Sequence, residues 1–284
     1  MFEFYMRRLI LCCMLLSFLI GYAQNNADII VSYDANQMAF SRDTVLNEKM
    51  TLLCNKDISK YFNDISQWSD SLSSTPGGEQ KLKDIIMANC VTQMPDGSIR
   101  VDYTKGPVKN IYTYVLTDNN EGQLTHYDKW GNEKRFYKEP IDEISWEIGD
   151  STKNILGYEC IIAETDYHGR HWIAWFTPEI PVSFGPWKLH GLPGLIMSAD
   201  TGDGFDFIAT GIQTSDRVIT PVYGSENYSK TDRKKALADE EYYQNNKRSI
   251  ISAQFGGNVK FTTGFDEGRK YDGKKYSIEP DYKN

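Results

Sequence analysis

Short alternations of apolar and polar residues dominate the chain, with Val, Ile, Thr, Tyr, Phe and Trp at every second position and Gly, Asn, Asp or Pro clusters between the runs. Successive side chains of a strand point to opposite faces, so this alternation predicts half-buried strands. They cover residues 29–33, 50–54, 99–103, 111–116, 123–127, 135–137, 144–148, 158–166, 170–176, 194–199, 205–212 and 217–222. Two hairpins carry their own turn chemistry. Tyr167-His168-Gly169-Arg170 offers a glycine for positive φ, and Asp200 to Gly204 offers two. Helical spacing is confined to residues 79–88 and 229–248, the second with Ser229, Thr231 or Asp232 available as N-cap. Residues 57–72 read either way, with Phe62, Ile65 and Trp68 at helical intervals. The pattern predicts a β-rich α+β fold: a large antiparallel sheet with a few helices, the main one near the C-terminus.

The N-terminus follows a different rule. Arg7-Arg8 precedes an apolar run over residues 9–20 and the small-residue stretch Gly21-Tyr22-Ala23. A basic region, a short apolar region and a small-residue site are the parts of a secretory signal peptide. The apolar run is shorter than the roughly 20 residues a bilayer span needs. The expected organisation is a signal peptide over residues 1–23 and one β-rich domain over residues 24–284, exported to the periplasm or outside the cell. No later stretch predicts a transmembrane helix.

Export changes the composition. The chain has 31 Lys+Arg against 39 Asp+Glu, and loss of Glu3, Arg7 and Arg8 leaves 29 against 38, a net charge of −9. That excludes a phosphate-binding surface and hence a nucleic-acid partner. Cys12 and Cys13 go with the signal, leaving Cys54, Cys90 and Cys160, which allow one disulfide at most. Cys54 with Cys90 is the pairing to test. Cys160 lies in an alternating run and reads as a buried, inert thiol.

Familiar catalytic signatures are missing. The four histidines are His126, His168, His171 and His190, and the His168-Gly-Arg-His171 spacing falls on a predicted turn with no completing ligand set. No nucleophile elbow, zinc-binding helix motif, phosphate loop or dinucleotide fingerprint occurs, so neither metal nor cofactor is expected. An alternative is a periplasmic hydrolase using Glu179, Asp200 and His190, which requires those groups to converge within hydrogen-bond reach.

The densest region runs over residues 144–199. It holds Ile155-Leu-Gly-Tyr, Ala174-Trp175-Phe176, Gly185-Pro-Trp-Lys-Leu and Gly191-Leu-Pro-Gly-Leu-Ile196, and four of the six tryptophans, Trp146, Trp172, Trp175 and Trp187. These motifs resemble the GLPGLI family of exported Bacteroidetes proteins, a Porphyromonas-type family of unknown function. The resemblance implies an envelope location, association with TonB-dependent outer-membrane uptake systems and no established enzyme activity. The Gly-Tyr-x-Cys strand followed by a Trp-bearing strand is similar to periplasmic half-barrels, which implies a curved, half-barrel-like sheet. The tail Tyr276-Ser-Ile-Glu-Pro departs from the ending such proteins carry.

The function expected is non-enzymatic binding of a peptide, a lipid-like ligand or an envelope protein. Its candidate residues are Trp175, Trp187, His190, Gly191, Leu192, Pro193 and Gly194, because aromatics beside a Gly/Pro loop are typical cleft lining. A competing reading makes the loop a structural turn entering a buried strand. Trp172 and Trp175, three apart on a strand, should face opposite sides of the sheet. If residues 229–248 cover the aromatic face, the cleft closes.

Overall fold

A computed structural model of the chain describes residues 25–97, 99–141, 144–254 and 268–283. The expected signal peptide lies outside the described residues. In chain order the elements are β1 (Ile29–Ala39), β2 (Thr44–Cys54), β3 (Ile58–Phe62), α1 (Asp64–Ser73), α2 (Gly78–Cys90), β4 (Val91–Gln93), β5 (Ile99–Val101), β6 (Tyr114–Asp118), β7 (Gln123–Trp130) and β8 (Glu133–Pro140). Then come β9 (Glu147–Ile155), β10 (Tyr158–Tyr167), β11 (Arg170–Thr177), β12 (Leu195–Asp200), β13 (Asp206–Thr214), β14 (Ser229–Lys230), α3 (Arg233–Gln254) and α4 (Gly273–Tyr276).

Twelve of these strands form one sheet in the order β14-β8-β7-β6-β3-β2-β1-β13-β12-β11-β10-β9. Neighbours run antiparallel except β14, whose Ser229 and Lys230 pair in parallel with Arg135 and Phe136, so the sheet is mixed. The β10–β11 turn is the two-residue type with positive φ at both centres, His168 at 52° and Gly169 at 80°. Residues 99–103 contribute only the short β5, which pairs with β4 away from the main sheet.

The sheet curls without closing into a barrel. Tyr137 on β8 and Trp172 on β11 sit eight strand positions apart, roughly 38 Å in a flat sheet at about 4.8 Å per strand. Yet Trp187 stacks on Trp172 at 5.7 Å while the next residue, Lys188, places its ammonium 2.9 Å from the Tyr137 hydroxyl. Two adjacent residues thus bridge the two sides of the sheet. The expected half-barrel shape holds, with Trp172, Tyr33, Tyr61, Phe176 and Phe207 in its inner core.

A second apolar layer covers the outer face. Leu53, Phe62 and Tyr114 pack there against Ile219, Val222 and Tyr228. Residues 217–222, expected as a strand, instead fold as a cover, with Val218 making one isolated bridge to Asn26. Beneath them lies Lys60, fully buried in β3 and donating to Gln67 Oε1 at 2.7 Å, Thr220 O at 2.9 Å and Pro221 O at 3.2 Å. Burial lowers its pKa to about 7.

The three cysteines among the described residues, Cys54, Cys90 and Cys160, are buried and unbridged. Cys54 faces the inner core from β2, whereas Cys90 ends α2 with its Sγ against Gly106, so the Cys54–Cys90 pairing does not form. Burial raises the Cys54 thiol to about 12, and Cys160 is likewise raised by burial, which keeps both inert. Among the described residues no helix is long and apolar enough to cross a membrane.

Candidate functional site

Residues 178–194, between β11 and β12, fold back as a plug in the mouth of the half-barrel. Leu195 N donates to Ile180 O, Ile196 N to Phe184 O and Gly191 N to Ser183 O, all at 2.9–3.1 Å. Val182, Phe184, Trp187, Leu189 and Leu192 point inward and are buried. Gly194 is demanded by space, because a Cβ there would lie 2.1 Å from the Thr177 carbonyl oxygen. Gly191 is demanded by conformation, with φ at 91° and nothing nearer than Trp146 Nε1 at 3.9 Å. Trp187 holds φ at 55°, rare for a bulky residue, and so delivers its indole onto Trp172.

The seven expected binding residues do not share a cleft. Gly191 and Pro193 face solvent, Leu192 and Gly194 are buried, and Trp175 is half-buried on the face opposite Trp172 with the Lys153 ammonium 4.3 Å above its ring. His190 is 6% exposed, its Nδ1 donating to Lys188 O at 2.7 Å while its own carbonyl accepts from Trp146 Nε1 at 2.8 Å. Of the seven, Trp187 lines the cavity described below. The hydrolase constellation does not assemble either. Glu179 accepts from Glu159 N beside Thr177, which pairs with Leu195, whereas Asp200 ends β12 five residues on, about 16 Å along the strand. Among the described residues no group of three or more His, Cys, Asp or Glu is placed to hold a metal ion.

The plug is locked by charge. Lys188, fully buried, reaches Glu139 Oε2 and Glu279 Oε1, each at 2.8 Å, as well as Tyr137. Glu279, 1% exposed, comes from the divergent tail and also pairs with Arg233 at the start of α3. Arg233 in turn binds Asp281. His168 in the β10–β11 turn closes the group, 3.9 Å from Glu279 and 3.6 Å from Asp281. Burial alone would raise the Glu279 carboxyl, but Lys188, His168 and Arg233 outweigh it and hold the group well below the carboxylate range. Burial drives His168 down to about 4 despite its acidic neighbours. The tail thus ties the signature lysine to the main helix.

Beside this lock a cavity of about 340 Å³ opens between the inner face of the sheet, α3 and the C-terminal tail. The helix expected to cover the aromatic face packs against β7 and β8 and forms one wall of the cavity without filling it. Phe40, Trp130, Trp187, Tyr271 and Tyr276 supply aromatic surface. Among the described residues four lining atoms have no hydrogen-bond partner: Tyr61 Oη, His126 Nδ1, Gln244 Oε1 and Arg135 Nη1, the last held as an ion pair by Asp239 at 2.8 Å. Tyr61 is 2% exposed and His126 8%, so both hold polar atoms out of water unpaired. The His126 ring stacks on Tyr137 at 4.9 Å, with Nε2 3.7 Å from Asp128.

Four carboxylates line this space: Glu279 of the lock, and Glu48, Asp128 and Glu240. Burial raises Glu48, and burial together with Asp128 pushes Glu240 up to about 8 although Tyr271 donates to it at 3.2 Å. No local motif marks these residues. They come from β2, β3, β7, α3 and the tail, and of the two unpaired buried groups His126 was visible in sequence merely as one of four histidines.

A family described as a protein of unknown function (Porph_ging) matches residues 167–198, from the β10–β11 turn through the plug into β12. That short segment is consistent with the resemblance carried by the same motifs. No curated protein matches the chain. Two solved structures, both of PNGF-II, one in a C2 and one in a P21 space group, are similar at 13% identity, with TM-scores of 0.48 and 0.47. They align over 75% and 74% of this chain but 32% and 33% of theirs, so the chain spans about a third of their length.

Proposed function

We propose that this is an exported, non-enzymatic binding protein of the cell envelope, and that its ligand site is the cavity between the sheet, α3 and the tail. The observation that carries this reading is the pair of buried, unpartnered polar atoms, Tyr61 Oη and His126 Nδ1, facing an aromatic-walled space. Unsatisfied buried polar groups cost about 1–3 kcal/mol each, and a ligand that pairs them recovers that cost. A volume of about 340 Å³ is at the small end of ligand sites, which run to about 300–1,000 Å³. Export rests on the pattern of residues 1–23, and a partner in a TonB-dependent uptake system rests on the resemblance.

Protein-observed NMR of the histidine imidazoles, titrated with dipeptides, amphipathic amines and short fatty acids, tests the site. Binders are expected to shift the His126 imidazole resonances and to lose affinity at least tenfold in Ala236→Phe, which fills the cavity from α3. A folded protein whose His126 responds to no compound class overturns the reading. N-terminal sequencing of the periplasmic fraction should begin at Gln24.

A further inference from the structure

We infer that the cavity takes an organic cation carried on an apolar body, the group that an arginine side chain of a short peptide presents, with Glu240 and Asp128 as its counter-charges. This rests on the cavity being the ligand site and names what enters it. Three features converge on a cation.

The first is charge. Glu48, Asp128 and Glu240 line the space, and none of them pairs with a lysine or arginine among the described residues. The cations beside them are directed elsewhere. Arg135 pairs with Glu133 and, at 2.8 Å, with Asp239, Lys129 lies over the Tyr112 ring at 4.7 Å, and Lys247 lies over the Tyr243 ring at 5.9 Å. Neighbouring carboxylates in a poorly solvated space repel one another, and a bound cation relieves that repulsion.

The second is hydrogen-bonding polarity. His126 Nε2 lies 3.7 Å from the Asp128 carboxylate, and the tautomer with its proton on that side leaves Nδ1 as an acceptor. Gln244 Oε1 is an acceptor as well, and Tyr61 Oη can accept. Of the orphaned lining atoms the one fixed donor, Arg135 Nη1, is held by Asp239 at 2.8 Å, so the remaining acceptors suit a ligand rich in donors, and guanidinium offers five N–H groups in a planar fork. A carboxylate or phosphate head would meet acceptors and like charge.

The third is the wall. Tyr271, Tyr276, Phe40 and Trp187 give π-faces that attract cations, and Met38 and Met50 add adaptable apolar surface for the rest of the ligand.

Isothermal titration with two probes separates the possibilities: N-acetyl-Phe-Arg-amide and its neutral isostere N-acetyl-Phe-citrulline-amide. The arginine probe is expected to bind at least tenfold tighter than the citrulline probe. Glu240→Gln should weaken the arginine probe more than the citrulline probe and so shrink that difference several-fold, and circular dichroism confirms that the variant is folded. Equal affinity for both probes, lost in Ala236→Phe, overturns the cation and keeps the cavity as ligand site. Binding of neither probe, while fatty acids or neutral compounds shift His126, also overturns the cation. Silence from every compound class at His126 overturns both readings.

Discussion

The plug over residues 178–194 and the cavity next to it share Trp187 but follow opposite rules. In the plug, backbone groups pair, apolar side chains are buried, and the one buried cation, Lys188, is matched by two carboxylates. In the cavity, Tyr61, His126 and Gln244 keep unpaired polar atoms, and Glu48, Asp128 and Glu240 have no lysine or arginine partner among the described residues. Saturated contacts specify a shape, whereas unsaturated ones store the capacity to bind. The conspicuous motif therefore marks how the half-barrel is stoppered, and the binding chemistry we propose sits where no motif points.

The comparison breaks most easily at Gly194. Alanine there drives a methyl into the Thr177 carbonyl, a backbone atom that cannot swing aside, so Gly194→Ala should cost more than about 4 kcal/mol or prevent folding. Gly191→Ala meets open space and bears the cost of its φ alone, about 1–3 kcal/mol. Urea denaturation of the pair reads the difference, and equal losses would mean that the plug is not held against β11 as described. Next in size is Lys188→Met, which strands Glu279 in the interior and should cost about 3–5 kcal/mol. Adding Glu279→Gln should return part of that loss, and a double-mutant cycle measures how much.

Much of this frame was legible beforehand. Alternation located most strands, and Tyr167-His168-Gly169-Arg170 gave its turn through Gly169. The exceptions have identifiable causes. β3 was hidden because Lys60, a charged residue at the strand centre, is buried under the 217–222 cover, and because Phe62, Ile65 and Trp68 mimic a helical stripe although Ile65 and Trp68 end up exposed. The loop residues drew attention through Gly and Pro, whose geometric demands are local and visible in sequence. Lys188 with Glu279, or His126 with Glu240, are joined by the curl of twelve strands and the return of the tail, and nothing local encodes that meeting.

A smaller effect comes from pH. His168 has its folded pKa lowered to about 4 from an ordinary 6.5, chiefly by burial. Between those values the unfolded chain binds a proton that the folded one does not, so stability is full above about pH 6.5 and falls as pH drops toward 4. The loss should reach about 1–3 kcal/mol over that window. Asn tolerates the positive φ of the turn, so His168→Asn should fold and flatten this part of the profile. Glu279, held low by Lys188, His168 and Arg233 against its burial, adds stability above the usual glutamate range that fades at still lower pH, so its share survives in that variant.

The smallest effect sharpens the comparison most directly. Tyr33 and Tyr61 are both buried on the inner face with rings 6.5 Å apart, but Tyr33 Oη donates to Ile196 O at 2.6 Å and Tyr61 Oη has no partner. Removing a satisfied hydroxyl should destabilise, so Tyr33→Phe should cost about 1 kcal/mol. Removing an unsatisfied one relieves a desolvated group, so Tyr61→Phe should lie within about 0.5 kcal/mol of wild type or be slightly more stable. The same Tyr61→Phe protein should bind the arginine probe several-fold more weakly, because the hydroxyl it lacks is one the ligand would have paired. Stability gained where affinity is lost is the mark of a group kept for binding. If Tyr61→Phe instead loses as much stability as Tyr33→Phe with affinity unchanged, the hydroxyl is already satisfied within the fold and Tyr61 belongs with the saturated contacts of the plug.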